Sequence, residues 1–179
     1  TGYSGVAHCE MFNPQTAVWK KVASLNEGRY QAGACVIEGQ LMIVGGCNSW
    51  HCLHTVEAYD SKLDQWTPLP PMAIARRGVG VTVFKEKLYV VGGTDGQSSL
   101  STVEIYDPKS QSWSFGPTLS VPRANVGVCV VDNRLYAVGG FCGKTFLDSI
   151  EYLLEDGQEW CSFAPLSRSP SNTSVTDLS

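Results

Sequence analysis

Three apolar runs in this chain each end in a pair of glycines: "GQLMIVGG" at Gly45 and Gly46, "EKLYVVGG" at Gly92 and Gly93, and "NRLYAVGG" at Gly139 and Gly140, a step of 47 residues each time. Other positions keep the same interval. Trp19, Trp66, Trp113 and Trp160 are in register, as are Glu10, Glu57, Glu104 and Glu151, and also Arg29, Arg76 and Arg123. Phe12, Tyr59 and Tyr106 form an aromatic series that Leu153 breaks. A fixed period in the range of about 20 to 50 residues specifies a repeat architecture, in which each unit buries its apolar faces against its neighbours.

The copy from 76 to 116 is the cleanest and contains four short candidate strands: "RRGVGVTVF", "KLYVVGG", "STVEIYD" and "SWSFGP". Val79, Val81 and Val83 alternate with Gly78, Gly80 and Thr82, and Val103 and Ile105 alternate with Thr102, Glu104 and Tyr106, which is the period of two expected of β-structure. Turn formers separate the strands, and no run has helical spacing of useful length. Four antiparallel strands per unit, without helices, leave both faces of a small sheet in need of cover. Stacking sheet on sheet supplies it, so the predicted fold is all-β, a propeller arc of three full four-stranded blades (about 29–69, 76–116 and 123–163) preceded by half a blade in residues 1–22. The glycine pairs then mark a turn with φ > 0 and close backbone approach, where a β-carbon has no room. Glu57 and Glu104 face neighbouring blades beside Tyr59 and Tyr106, and a buried carboxylate of this kind needs backbone N–H groups or an arginine to satisfy it.

Composition removes several function classes. The chain has 179 residues, 43% of them hydrophobic and 17% charged, enough for one globular domain with a core. Its formal charge of −4 and the absence of any Lys/Arg run argue against nucleic acid as a partner. Neither a spanning helix nor a signal peptide is visible, so no membrane partner is expected. Seven cysteines, an odd number in a chain too large to depend on disulfides, suggest reduced thiols and a cytoplasmic or also nuclear location. Cys35 and Cys129 lie on apolar runs and read as small buried core residues. Cys47, His51 and Cys52 are the one cluster resembling metal ligands, but no fourth ligand lies nearby, and neither metal nor cofactor is expected.

The repeated arginine, the four-strand unit, the glycine pair, Glu-x-Tyr and the tryptophan together resemble the kelch repeat over residues 1 to about 163. Within that family, "SWHCLHTVEAYDSKLDQWTPLPPMAIARRGVGV" and "YAVGGFCGKTFLDSIEY" are similar to the C-terminal blades of kelch-like adaptors that carry a BTB domain upstream. Family propellers commonly close with six blades, more than 179 residues can hold. The resemblance therefore implies either a piece of a longer protein or an arc that pairs with another to close. Residues 164–179, which include "SRSPSNTSVTDLS", are polar and aperiodic and read as a disordered tail.

The resemblance also implies a partner-binding face, made by the loops after the glycine pairs and by residues opening each innermost strand. By position these are Arg29, Arg76 and Arg123 at the strand openings, together with Cys47, Asn48, Trp50, His51, Thr94, Asp95, Gln97, Phe141, Cys142 and Lys144 in the loops. Arginine reads carboxylates bidentately, and Trp50 or Phe141 offers a desolvated anchor, which suits an acidic or phosphorylated peptide. The repeated arginines have an equally weighted alternative, a clamp on the repeated glutamates between blades. Specificity belongs where the blades differ, which favours Trp50, His51, Arg77, Asn125, Phe141 and Lys144. The three histidines do not converge, and no nucleophile with an adjacent base can be argued, so no catalytic residue is assigned and an enzyme is not expected. Two binding functions follow from the resemblance: recruitment of substrate proteins to a cullin-based ubiquitin ligase through an upstream BTB domain outside this chain, or binding of actin filaments.

Overall fold

The computed structural model describes residues 5–163; the predicted tail, residues 164–179, lies outside them. Two strands, β1 (Cys9–Asn13) and β2 (Val18–Val22), form the half blade. A first full blade follows from β3 (Gly33–Ile37), β4 (Gln40–Val44), β5 (Val56–Asp60) and β6 (Gln65–Leu69). The second is β7 (Gly80–Phe84), β8 (Lys87–Val91), β9 (Val103–Asp107) and β10 (Ser112–Phe115). In the third, β11 (Gly127–Val131) and β12 (Arg134–Val138) are followed by a small hairpin, β13 (Phe141–Cys142) and β14 (Thr145–Phe146), before β15 (Ile150–Leu154) and β16 (Trp160–Phe163) complete the sheet. Each full blade is an antiparallel meander in chain order, and the described residues contain no helix.

The run "KLYVV" is continuously apolar because the middle blade is covered on both sides. Leu88 and Val90 point into one core with Met42, Val44, Val56 and Ala58 of the first blade. Tyr89 and Val91, one residue out of phase, point into the other core with Leu135, Ala137, Leu153 and Trp160 of the third. Within a blade, Tyr59 and Trp66 are cross-strand partners with ring centroids 5.0 Å apart, and Tyr106 and Trp113 repeat the pair at 5.1 Å. Leu153 faces Trp160 where the aromatic series breaks. Each indole also reaches back: Trp66, Trp113 and Trp160 donate Nε1–H to the carbonyls of Ala23, Pro70 and Pro117, in the segments leaving the preceding blade.

The repeated arginine makes the second tie. Its backbone belongs to the preceding blade: Arg76 N–H donates to Leu53 O at 3.0 Å, and Gly46 N–H donates to Arg76 O at 2.9 Å. Its side chain runs into the following blade, donating to Glu104 Oε1 at 2.8 Å, Gly92 O at 2.9 Å and Thr102 O at 3.0 Å. Glu104 also accepts from the Ala73 and Ile74 amides, so the predicted satisfaction of the buried glutamate comes from both sources. Arg29 with Glu57 and Arg123 with Glu151 repeat the arrangement. The same contact explains the glycine pairs: Gly45 has φ +60°, and a β-carbon there would lie 2.5 Å from Arg76 O, while at Gly93 (φ +93°) it would lie 2.8 Å from Arg77 O.

One expectation about the core fails. Cys35 is half-buried, and burial pushes its thiol up to about 11, but Cys129 is exposed. β7 is flanked by β3 and β11, whereas among the described residues β11 has a blade on one side alone, so Cys129 and Val131, out of phase with the packed Val128, face outward.

Replacing Arg76 with Met leaves Glu104 buried with backbone donors alone, and the expected loss in urea unfolding is about 3–5 kcal/mol. Arg76→Met with Glu104→Leu should lose less than Arg76→Met alone; an equal or greater loss would show that packing, not the unpaired charge, dominates.

Candidate functional site

Above the buried arginines, the residue that follows each one is paired with the residue that follows each glycine pair: Tyr30 with Cys47, Arg77 with Thr94, and Ala124 with Phe141. One residue further on, Gln31, Gly78 and Asn125 all take positive φ (53°, 59° and 50°). They link blade to blade, Gly78 N–H donating to Gln31 O at 2.9 Å and Asn125 N–H to Gly78 O at 2.8 Å. This backbone chain forms the floor of one face of the arc. The loops after the glycine pairs rise from it.

Two of those loops are built alike. Asn48 Oδ1 accepts the amides of Trp50 and His51 at 2.8 and 3.0 Å, and its Nδ2 donates to Glu27 Oε1 at 2.9 Å. Asp95, 47 residues later, accepts the amides of Gln97 and Ser98, both at 2.8 Å. Those amides hold the Asp95 carboxyl below its ordinary 3.8, Ser98 first and then Gln97. Its contribution to the turn is therefore present above the ordinary carboxylate value and lost as pH falls through its own lower one, and at neutral pH it is an anion. The third loop has Cys142 at this position, which offers no carbonyl or carboxylate oxygen, and the short β13–β14 hairpin replaces the turn.

Between the first two loops lies a cleft of about 330 Å³ lined by Tyr30, the 47–52 loop, Arg77 and Asp95–Gln97. Trp50 stands at its rim, 89% exposed. The half-buried Arg77 donates Nη1–H to Gln31 Oε1 at 3.2 Å, while its shielded Nε has no partner. Among the described residues no carboxylate lies within ion-pair distance of this guanidinium.

The structure thus brings Trp50, His51, Arg77 and Asp95 to one cleft. Phe141 lines an adjoining depression that Arg77 also borders, with Thr94, Gln97 and Ala124. Asn125 is exposed in the backbone floor, and Lys144 is exposed on the β13–β14 turn, outside the linings of both depressions. Arg29, Arg76 and Arg123 do not belong to the surface. Their relative exposures are 5%, 0% and 0%, and their donors, Arg76 Nε excepted, go to the glutamates, carbonyls and hydroxyls beneath, a geometry that fits the clamp and leaves no surface for a partner to reach. Tyr30 was missed; the signal was available, since it occupies the place of Arg77 one repeat earlier. Cys47, His51 and Cys52 are together, but among the described residues no group of three or more His, Cys, Asp or Glu side chains could hold a metal ion.

Comparison with known proteins gives one domain match and several partial relatives. Residues 8–178 match the KLHDC2/KLHL20/DRC7 Kelch-repeats domain. Kelch domain-containing protein 7A of Mus musculus is 44% identical over 61 residues, 34% of this chain and 7% of that protein. Kelch-like protein 35 of Homo sapiens is 40% identical over 62 residues, 35% of this chain and 11% of that protein. Such matches therefore span about a tenth or less of those relatives' lengths. The solved structure of YjhT superposes with a TM-score of 0.77 at 20% identity, covering 92% of this chain and 60% of that one, a likeness of fold.

Asn48→Ala removes three hydrogen bonds that shape the cleft wall. The expected result is a loss of about 0.5–1.5 kcal/mol in unfolding free energy, with faster amide exchange at Trp50 and His51. Unchanged protection at those two amides would show that the loop holds its shape without Asn48.

Proposed function

The chain belongs to the kelch-repeat domain family, and on that footing we propose that it is a protein-interaction module whose cleft beside Arg77 captures an acidic or phosphorylated peptide of a partner protein. The observation that carries this reading is the guanidinium itself. Arg77 is rigidly placed by its backbone pairing with Thr94, yet among the described residues its guanidinium has one hydrogen-bond partner, the neutral Gln31. A carboxylate or phosphate entering the cleft would find charge-assisted donors there, and the exposed Trp50 indole would cover it from water.

In the wider setting the propeller is the substrate-reading part of a kelch-like adaptor that delivers partners to a cullin-based ubiquitin ligase through a BTB domain upstream. The similarity to kelch-like proteins supports that assignment, as do the blade sequences quoted above. The same stretches resemble the kelch-like protein that binds the influenza non-structural protein, and that resemblance supplies the second reading, actin-filament binding. The cysteine usage supports a cytoplasmic, also nuclear, location.

The test uses the full-length parent protein, comparing co-recovery of a cullin with co-sedimentation on actin filaments. Arg77→Ala and Trp50→Ala should each weaken capture of the recovered partner roughly tenfold or more, with the thermal transition unchanged. Capture that survives both substitutions would remove the cleft from the binding surface.

A further inference from the structure

The turn at 47–52 contains a pair of sulfurs that the fold does not require. Cys47 and Cys52 are antiparallel bridge partners, and their Sγ atoms are 3.0 Å apart. The flanking backbone bonds, Leu53 N–H to Gly46 O at 2.8 Å and Asn48 N–H to His51 O at 3.1 Å, make the pair between them a non-hydrogen-bonded one. In that arrangement Cα atoms lie about 4.5 Å apart and side chains are at their closest, which falls inside the range of about 4.4–6.8 Å that a disulfide spans. The equivalent pairs in the next blades are Thr94 with Ser99 and Phe141 with Phe146. Neither equivalent pair contains sulfur, and the Thr94–Ser99 pair closes a turn of the same build, so packing alone does not call for two thiols here.

We propose that Cys47 and Cys52 form a reversible redox pair, which a hydroperoxide oxidises to a disulfide that closes residues 47–52 into a ring bearing Trp50 and His51. One sulfur, as thiolate, attacks the peroxide O–O bond, giving a sulfenic acid and hydroxide. The hydroxide takes the proton of the second thiol as water. That second sulfur then displaces the sulfenic hydroxyl, which leaves as water with the proton first released. Two thiols give up two electrons, and one hydrogen peroxide becomes two waters.

Access and rate follow from the surroundings. Both cysteines are buried, yet both line the open cleft, so a molecule the size of hydrogen peroxide reaches them. Burial, then the neighbouring Cys47 thiol, pushes Cys52 up to about 12, with the Arg77 guanidinium pulling the other way. The nearby Asp95 carboxylate also disfavours the Cys52 thiolate, which is scarce at neutral pH, so attack through Cys52 quickens as pH rises. Closure also removes the S–H that Cys52 directs at Thr94 O of the second blade's loop, 3.8 Å away. Because nothing in this chemistry depends on a partner, it stands apart from the peptide-capture reading.

The experiment treats the folded protein with hydrogen peroxide at pH 7 and pH 9, alkylates the remaining thiols under denaturing conditions, and digests with chymotrypsin. Cleavage after Leu41 and Trp50 separates Cys35, Cys47 and Cys52 onto different peptides. The expected result is a Cys47–Cys52 linked peptide pair, two mass units lighter than the sum of the reduced peptides, formed faster at pH 9 and abolished by dithiothreitol. Cys47→Thr with Cys52→Ser copies the neighbouring blade's turn, so it should keep the thermal transition and lose the linked pair. The proposal is overturned if both cysteines are recovered alkylated, if either is oxidised to sulfinic acid without linkage, or if they pair with Cys129 or another cysteine instead.

Discussion

A buried arginine that belongs to two blades at once organises this molecule. Burying a guanidinium and a carboxylate is costly, and their mutual attraction offsets that cost only when the remaining donors and acceptors are also matched. At Arg76 they nearly are: Glu104, two backbone carbonyls and the Thr102 hydroxyl take four of its hydrogen bonds, leaving Nε without a partner. Burial pushes this guanidinium downward while Glu104 pulls it back, which is the balance expected of a desolvated but paired ion. The backbone of the same residue is bonded into the preceding blade, so the pair cannot form unless two sheets are correctly docked. Apolar packing gives those sheets a reason to associate; the ion pair gives them one relative position.

The tryptophan ties act at the other side of each sheet, on the outermost strand. Trp66, Trp113 and Trp160 each donate across 43 residues to the segment leaving the blade before. With the arginine near the inner strand and the indole at the outer one, each blade is held to its predecessor at two separated points, which resists both sliding and splaying. A rigid platform of this kind lets neighbouring turns differ in chemistry without disturbing what lies below. Asn48 and Asp95 build one type of turn and Cys142 another over the same Gly-Gly foundation.

The blade architecture was legible because the residues that build it recur: glycines at positive φ, glutamates needing partners and indoles between sheets all repeat at 47 residues. What periodicity could not decide was which of two uses a repeated arginine has, since a clamp and a surface reader produce the same spacing. The difference lies in which carbonyls its side chain meets, and that depends on docking across blades. Cys129 was misread for a related reason. Alternation identifies which face of β11 a residue occupies, but not whether a further sheet covers that face. The sulfur pair is not legible in spacing alone: as metal ligands Cys47 and Cys52 lack a fourth donor, and only the folded hairpin makes them cross-strand partners, where two suffice.

Arg76 and Arg77 show in adjacent residues how a repeat protein separates structure from recognition. Both are arginines, and both lie between a glycine pair and an innermost strand. Arg76 has counterparts at 29 and 123, and its side chain is fully enclosed. Arg77 has Tyr30 and Ala124 in the equivalent places, and its side chain borders two depressions on the loop face. Successive side chains along extended backbone point to opposite sides, so if the first turns inward to the glutamate, the second must turn outward. Inward, the partner repeats in every blade and the residue is held to one identity. Outward, nothing in the scaffold constrains it, and the residue can follow whatever ligand the cleft meets. The one arginine in this row without a carboxylate is the one whose identity the fold leaves free, and that is why the unmatched charge, not the repeated one, is the place to look for a partner.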